Sequence, residues 1–291
     1  MRHIAITWTL LLAATMCFAQ NAPTPHSANK KMGILLVHYG TQNDNSRRRT
    51  LETLNALVAN RFAECPVVEA YAAPTVIRAL SRRGIQKLTI AEALDSLTAL
   101  GCRRLAVQST MLLDGVMTDM LDEQLATRRP LFDTVAVGHP LLYSVDDCRT
   151  MLDCIARCLE ADTSITANAQ THVVLVGHGS DSPANAMYSQ VDYVAQNEGC
   201  PNWHVGTIEG YPTTATVAAR LAAAKARQVV LVPLLYIAGN HLRDDINGVW
   251  RQHLEGLGYK VSVVKKGLGE MLEVQQALVD RVAQLLKACS K

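Results

Sequence analysis

Short apolar runs alternate with longer stretches of helical periodicity along almost the whole chain, and this alternation constrains the fold more than any other feature. Runs over 34–37, 67–71, 104–108 and 134–137 read as strands. Between and after them, 46–62, 74–83, 90–100, 116–125 and 146–159 carry apolar residues at helical spacing. The scheme then restarts. Strands are expected over 173–176, 205–208, 229–234 and 259–264. Helices are expected from the Ser182-Pro183 cap to about 197, and over 214–226, 244–254 and 270–289. Strand–helix–strand units of this kind close right-handed and build parallel sheets. The halves also echo each other: Val37-His38-Tyr39-Gly40-Thr41 mirrors Val176-Gly177-His178-Gly179-Ser180, and Ala73-Pro74-Thr75 mirrors Tyr211-Pro212-Thr213. Leu113-Asp114-Gly115 likewise mirrors Ala238-Gly239. The expectation is an α/β protein of two similar doubly wound parallel-sheet lobes, over 33–162 and 171–291, with a cleft between them.

Length and charge narrow the function classes. The 291 residues are 49% hydrophobic, enough for two packed lobes. A net charge of +2, with few aromatics and no basic stripe, gives no case for nucleic acid. Residues 1–19 read as a signal peptide. Arg2 and His3 precede an apolar stretch over 4–16 that is too short to span a bilayer, and Cys17-Phe18-Ala19 supplies small residues before Gln20. Residues 20–32 read as a polar linker. The signal peptide implies export, to the periplasm if the source is a Gram-negative bacterium, with no stable membrane span elsewhere. Eight cysteines are present, and Cys17 leaves with the leader, so the odd remainder has at least one unpaired thiol. No two stand in a CxxC pair, and most read as small core residues. A homo-oligomer remains open.

His178, Glu209 and His241 carry the chemistry. Each falls just past an expected strand, and parallel sheets bind ligands beyond their strands' carboxyl ends. Singly, such residues are more often caps or loop anchors. Together they form a candidate catalytic and metal-binding set, because two imidazoles and a carboxylate suit a borderline divalent ion and leave positions open. Gly177 and Gly179 beside them let the backbone turn and leave room for a large ligand. A serine nucleophile elbow needs GxSxG, and here Gly179 holds the central position. Neither a Walker loop nor GxGxxG occurs, so no nucleotide cofactor is expected.

Gly177-His178-Gly179, Glu209-Gly210-Tyr211-Pro212 and the run Pro233-Leu234-Leu235-Tyr236-Ile237-Ala238-Gly239-Asn240-His241 resemble the CbiK-type anaerobic cobalt chelatases. The likeness extends over Gly33 to Thr41, Gln108-Ser109, Gly138-His139-Pro140-Leu141-Leu142 and Gly267-Leu268-Gly269-Glu270. It implies a chelatase-like fold, similar to ferrochelatases, in which two lobes clamp a tetrapyrrole. The implied activity is insertion of Co2+ into sirohydrochlorin or precorrin-2 on the route to cobalamin. Co2+ would be the metal substrate, with Fe2+ or Ni2+ as alternatives. Metal and acid–base roles carry over to His178, Glu209 and His241. His38, Tyr39, Met111, Gly177, Gly179 and Tyr211 are expected to contact the ring. Met111 and Met117 depart from the family, which usually has a histidine and an acid there; they imply a changed preference or flexible filling of a cleft wall. Arg47, Arg48, Arg49 and Arg243 are the cationic candidates for the substrate's carboxylates, although the arginine triplet reads more simply as a solvated charge run.

The chemistry suits these groups. Insertion displaces two pyrrole protons, and a neutral imidazole can hold the ion or accept a proton. A carboxylate attracts the cation and can relay protons outward. Two other readings fit the same sequence: an iron- or haem-related tetrapyrrole chelatase, and an exported tetrapyrrole- or metal-binding protein without turnover.

Overall fold

Eight strands alternate with helices in the computed structural model, which describes residues 31–162 and 170–290. The signal peptide and most of the linker expected before residue 31, like the inter-lobe stretch 163–169, lie outside the described residues. The first four strands are β1 (Met32–His38), β2 (Val67–Tyr71), β3 (Arg104–Ser109) and β4 (Thr134–Val137). They form one parallel sheet in the order β2-β1-β3-β4. The second sheet contains β5 (Thr171–Gly177), β6 (Trp203–Thr207), β7 (Gln228–Pro233) and β8 (Lys260–Val263), in the order β6-β5-β7-β8. The two orders are the same permutation, as the sequence echo between the halves implies. No helix among the described residues is long and apolar enough to cross a membrane.

Alternation along the central strands explains the layering. On β1, Leu35 and Val37 face one apolar cluster, with Ile90, Leu94 and Leu97 of the helix Ile90–Ala99. Ile34 and Leu36 face the opposite way, into a cluster shared by both sheets. On β5, Val173 and Leu175 enter that same shared cluster, while Val174 and Val176 join a third one with Trp250 and Leu254. Both faces of each central strand are thus buried, which is why these runs are apolar throughout rather than alternating with polar residues.

The helices Val145–Ala161, Ala186–Asn197 and Leu272–Cys289 fill the space between the sheets. Leu272–Cys289, read from sequence as the closing helix of the second lobe, packs instead on β3 and β4 of the first sheet. Cys289 donates its thiol to the carbonyl oxygen of Leu105 at 3.1 Å. Expected helix boundaries also shift where the winding changes. Residues 44–61 run as helix with wider π turns over Arg48–Glu52, and His241–Trp250 is π-helical before Arg251–Gly256. All seven cysteines of the described residues are free thiols, four of them buried.

Candidate active site

In each sheet the chain moves outward in one direction from the central strand and then returns to its other side. The crevice left at such a reversal is where doubly wound sheets bind ligands. The reversals lie between β1 and β3 and between β5 and β7. Segments leaving all four strands line one cavity of about 980 Å³. Tyr39 to Asn43 and Thr110 to Thr118 come from the first sheet; His178 to Ser180 and Leu235 to His241 come from the second. Its volume is at the upper end of ligand sites.

His178 and His241 meet on this wall, with ring centroids 4.9 Å apart and planes at 90°. His178 directly follows β5, and its Nδ1 lies 3.1 Å from the carbonyl oxygen of Gly179. His241 opens the π-helical segment, and its Nδ1 lies 2.8 Å from Oδ2 of Asp245, one turn on. Both partners are acceptors, so in the neutral ring each Nδ1 carries the proton and each Nε2 keeps its lone pair. π turns inside helices recur at functional sites, and here one begins at a cavity histidine.

Backbone geometry around His178 explains its glycines. Gly179 has φ +93°, a left-handed conformation, and an added Cβ would lie 1.3 Å from the carbonyl oxygen of Glu209. That close approach ties the loops after β5 and β6 together: the Glu209 N–H donates to the His178 carbonyl at 2.7 Å. Asn185 adds a second tie, accepting from the Ser180 N–H at 2.9 Å and donating to the Tyr211 carbonyl at 2.7 Å. A Cβ on Gly177 would meet the Tyr188 ring at 2.1 Å, and the Tyr188 hydroxyl accepts from the Gly179 N–H at 3.4 Å.

Several of the expected site residues lie away from the cavity lining. Glu209 does not complete a preformed three-ligand site. Its residue is exposed, it is not among the cavity-lining residues, and no group of three His, Cys, Asp or Glu among the described residues is arranged to hold a metal. Glu209 follows β6, the neighbour of β5, so its backbone lies beside His178 while its side chain is exposed and off the cavity lining. His38 is fully buried, not a ring contact. It shares the inward face of β1 with Ile34 and Leu36, and its nitrogens lie 3.0 Å from Thr110 Oγ1 and 3.0 Å from Asn55 Oδ1. Burial lowers its pKa. Gly177 packs under Tyr188, and Tyr211 is exposed outside the cavity lining.

Tyr39, Met111 and Gly179 do line the cavity, as does Met117. The four arginine candidates do not. Arg47 pairs with Asp44 and Glu52 at 2.8 Å each, Arg48 with Asn45, Arg49 with Glu270 and Arg243 with Asp244. Asp245, Tyr188 and Asn185 were not singled out from sequence. The spacing His241-x-x-x-Asp245 was the available signal for the first, since residues four apart share a helix face.

A family model described as cobalt chelatase (CbiK) matches residues 32–287. The sirohydrochlorin cobaltochelatase of Salmonella typhimurium is 27% identical over 262 residues, covering 88% of this chain and 97% of the relative. The sirohydrochlorin cobaltochelatase CbiKC of Nitratidesulfovibrio vulgaris is 28% identical over 254 residues, covering 85% and 88%. Among solved structures, the sirohydrochlorin chelatase SirB of Bacillus subtilis, in complex with cobalt, has a TM-score of 0.60 at 15% identity, with 88% of this chain and 96% of SirB covered. CbiX, described as the terminal enzyme of sirohaem biosynthesis in denitrifying bacteria, has a TM-score of 0.55 at 20% identity, covering 87% and 98%. These two share its two-lobed α/β fold. With the family model spanning nearly all the described residues, the chain belongs to the cobalt chelatase (CbiK) family.

Proposed function

We propose that this protein is a chelatase that inserts Co2+ into sirohydrochlorin in cobalamin biosynthesis. The observation that carries the reading is the imidazole pair. Two histidines in ring contact, each with Nδ1 engaged, present Nε2 lone pairs to a cavity built by both lobes. The family and its named relatives supply the metal and the macrocycle.

The metal ion is a substrate. His178 and His241 hold it at the wall, and the macrocycle enters between that wall and the loops after β1 and β3. As the ion passes to the four ring nitrogens, two pyrrole N–H protons leave, so charge balances as one dication in and two protons out. A histidine released from the ion accepts a proton and passes it to water. Glu209, whose N–H donates to the His178 carbonyl at 2.7 Å, brings a negative charge to the neighbouring loop. The apolar wall formed by Met111, Leu112, Met117 and Ile237 packs on the ring.

Absorbance of sirohydrochlorin with Co2+ tests the proposal directly. Conversion well above the uncatalysed rate is expected, and His241→Ala should abolish it with an unchanged melting temperature. Full turnover by that variant would overturn the assignment, and wild-type binding without acceleration would make the protein a carrier. Running Fe2+ and Ni2+ beside Co2+ identifies the preferred ion.

We infer also that residues 1–19 direct export and that the mature protein works in the periplasm. The support is the sequence pattern alone. Intact mass of the chain from a periplasmic fraction should correspond to a start at Gln20; a full-length chain confined to the cytosol would refute export.

A further inference from the structure

The two cavity histidines are backed unequally. Behind His178 is a neutral backbone carbonyl, that of Gly179 at 3.1 Å. Behind His241 is a carboxylate, with Asp245 Oδ2 at 2.8 Å. The neighbouring Asp244 is not an alternative partner: Arg243 holds both of its oxygens at 2.7 Å. Asp245 is itself half-buried, its side chain 31% exposed, and no other salt bridge engages it among the described residues. A carboxylate accepting Nδ1–H fixes the ring's tautomer and orientation and makes Nε2 a stronger donor than a carbonyl does.

We propose that Asp245 is a positioning residue for metal capture: it locks His241 with Nε2 free and makes this histidine the stronger of the two donors. The inference rests on the reading of His178 and His241 as the residues that hold the metal substrate. In this arrangement the ion is anchored by His241, and His178 is the donor released first when the macrocycle arrives. Asp245 touches neither metal nor ring; it acts through the imidazole. Its place in the helix supports the role, because the pair is four residues apart at the opening of the π-helical segment, where both side chains lie on one face.

The experiment uses the full mature chain, with Asp245→Ala and Asp245→Asn. Co2+ alone is titrated by calorimetry, and the His241 ring nitrogens are followed by 15N NMR. Asp245→Ala should weaken Co2+ binding about 10- to 100-fold, with an unchanged melting temperature and an unchanged KM for sirohydrochlorin. His241 should move from the Nδ1–H form towards a mixture of tautomers. Asp245→Asn keeps an acceptor but not the charge, so it should retain the tautomer and recover part of the affinity. Wild-type Co2+ affinity in Asp245→Ala, or an unchanged tautomer, would overturn the proposal. Neither readout needs turnover, so a wild-type protein that binds Co2+ at His241 but inserts no metal would defeat the chelatase reading and leave this one standing.

Discussion

At the residue scale the site is decided by which way each side chain points at the end of its strand. The echo between the halves aligns His38 with Gly177 and Tyr39 with His178. Period two along the strand therefore sends His38 and Gly177 inward and turns Tyr39 and His178 to the cavity. The glycine after each, Gly40 at φ +97° and Gly179 at φ +93°, repeats the same left-handed turn. The inward turn of His38 is thus legible in the sequence. The outward turn of Glu209 is not, because proximity along neighbouring loops does not fix where a carboxylate points. An exposed carboxylate on the neighbouring loop, off the cavity lining, acts through water, so its effect should be modest and screened by salt. Glu209→Gln should lower kcat/KM for Co2+ by less than about tenfold at low ionic strength, with the difference shrinking as salt is added. A salt-independent collapse of turnover in that variant would instead make Glu209 a direct metal ligand.

At the element scale, β5 and β6 bury a second histidine pair away from the cavity. His172 Nδ1 lies 2.9 Å from His204 Nε2, with the rings stacked. His204 Nδ1 is buried with no hydrogen-bond partner. Burial, and then Arg220 and His172, push the His204 pKa down to about 4, and burial lowers that of His172. The unfolded chain then binds more protons than the folded one between the ordinary histidine pKa of about 6.5 and about 4, so stability rises with pH across that window and is lost as pH falls through it. His204 alone contributes on the order of 3 kcal/mol to this slope. Urea denaturation should show a flat stability above pH 7 and a steep decline towards pH 4. His204→Gln should reduce the decline; an unaltered profile would contradict the assignment.

For the whole molecule, the two lobes are similar in topology but not independent in packing. The cluster containing Ile34 and Leu36 also holds Val173, Leu175 and Val279, so the sheets share one apolar interior. The helix Leu272–Cys289 crosses back to cover the first sheet. This shared interior fixes the relation of the two sheets, and so holds the crevices at their two reversals on opposite walls of one cavity. The loops after β1 and β3, which carry Tyr39 and Met111, thereby face the histidines.

The alternation of apolar runs with helical stretches determined the fold class, the doubled topology and the placing of His178 and His241 beyond strand ends. These are local properties, set by side-chain periodicity and by the few ways βαβ units can close. Strand order was decided only in three dimensions, by which faces of the sheets bury each other. That order put β5 next to β7 and set Glu209, just past β6, on the other side of β5, whereas Asp245 lies behind His241 through helical spacing alone. A one-dimensional pattern says that a residue lies at an edge; only packing says which neighbours share it.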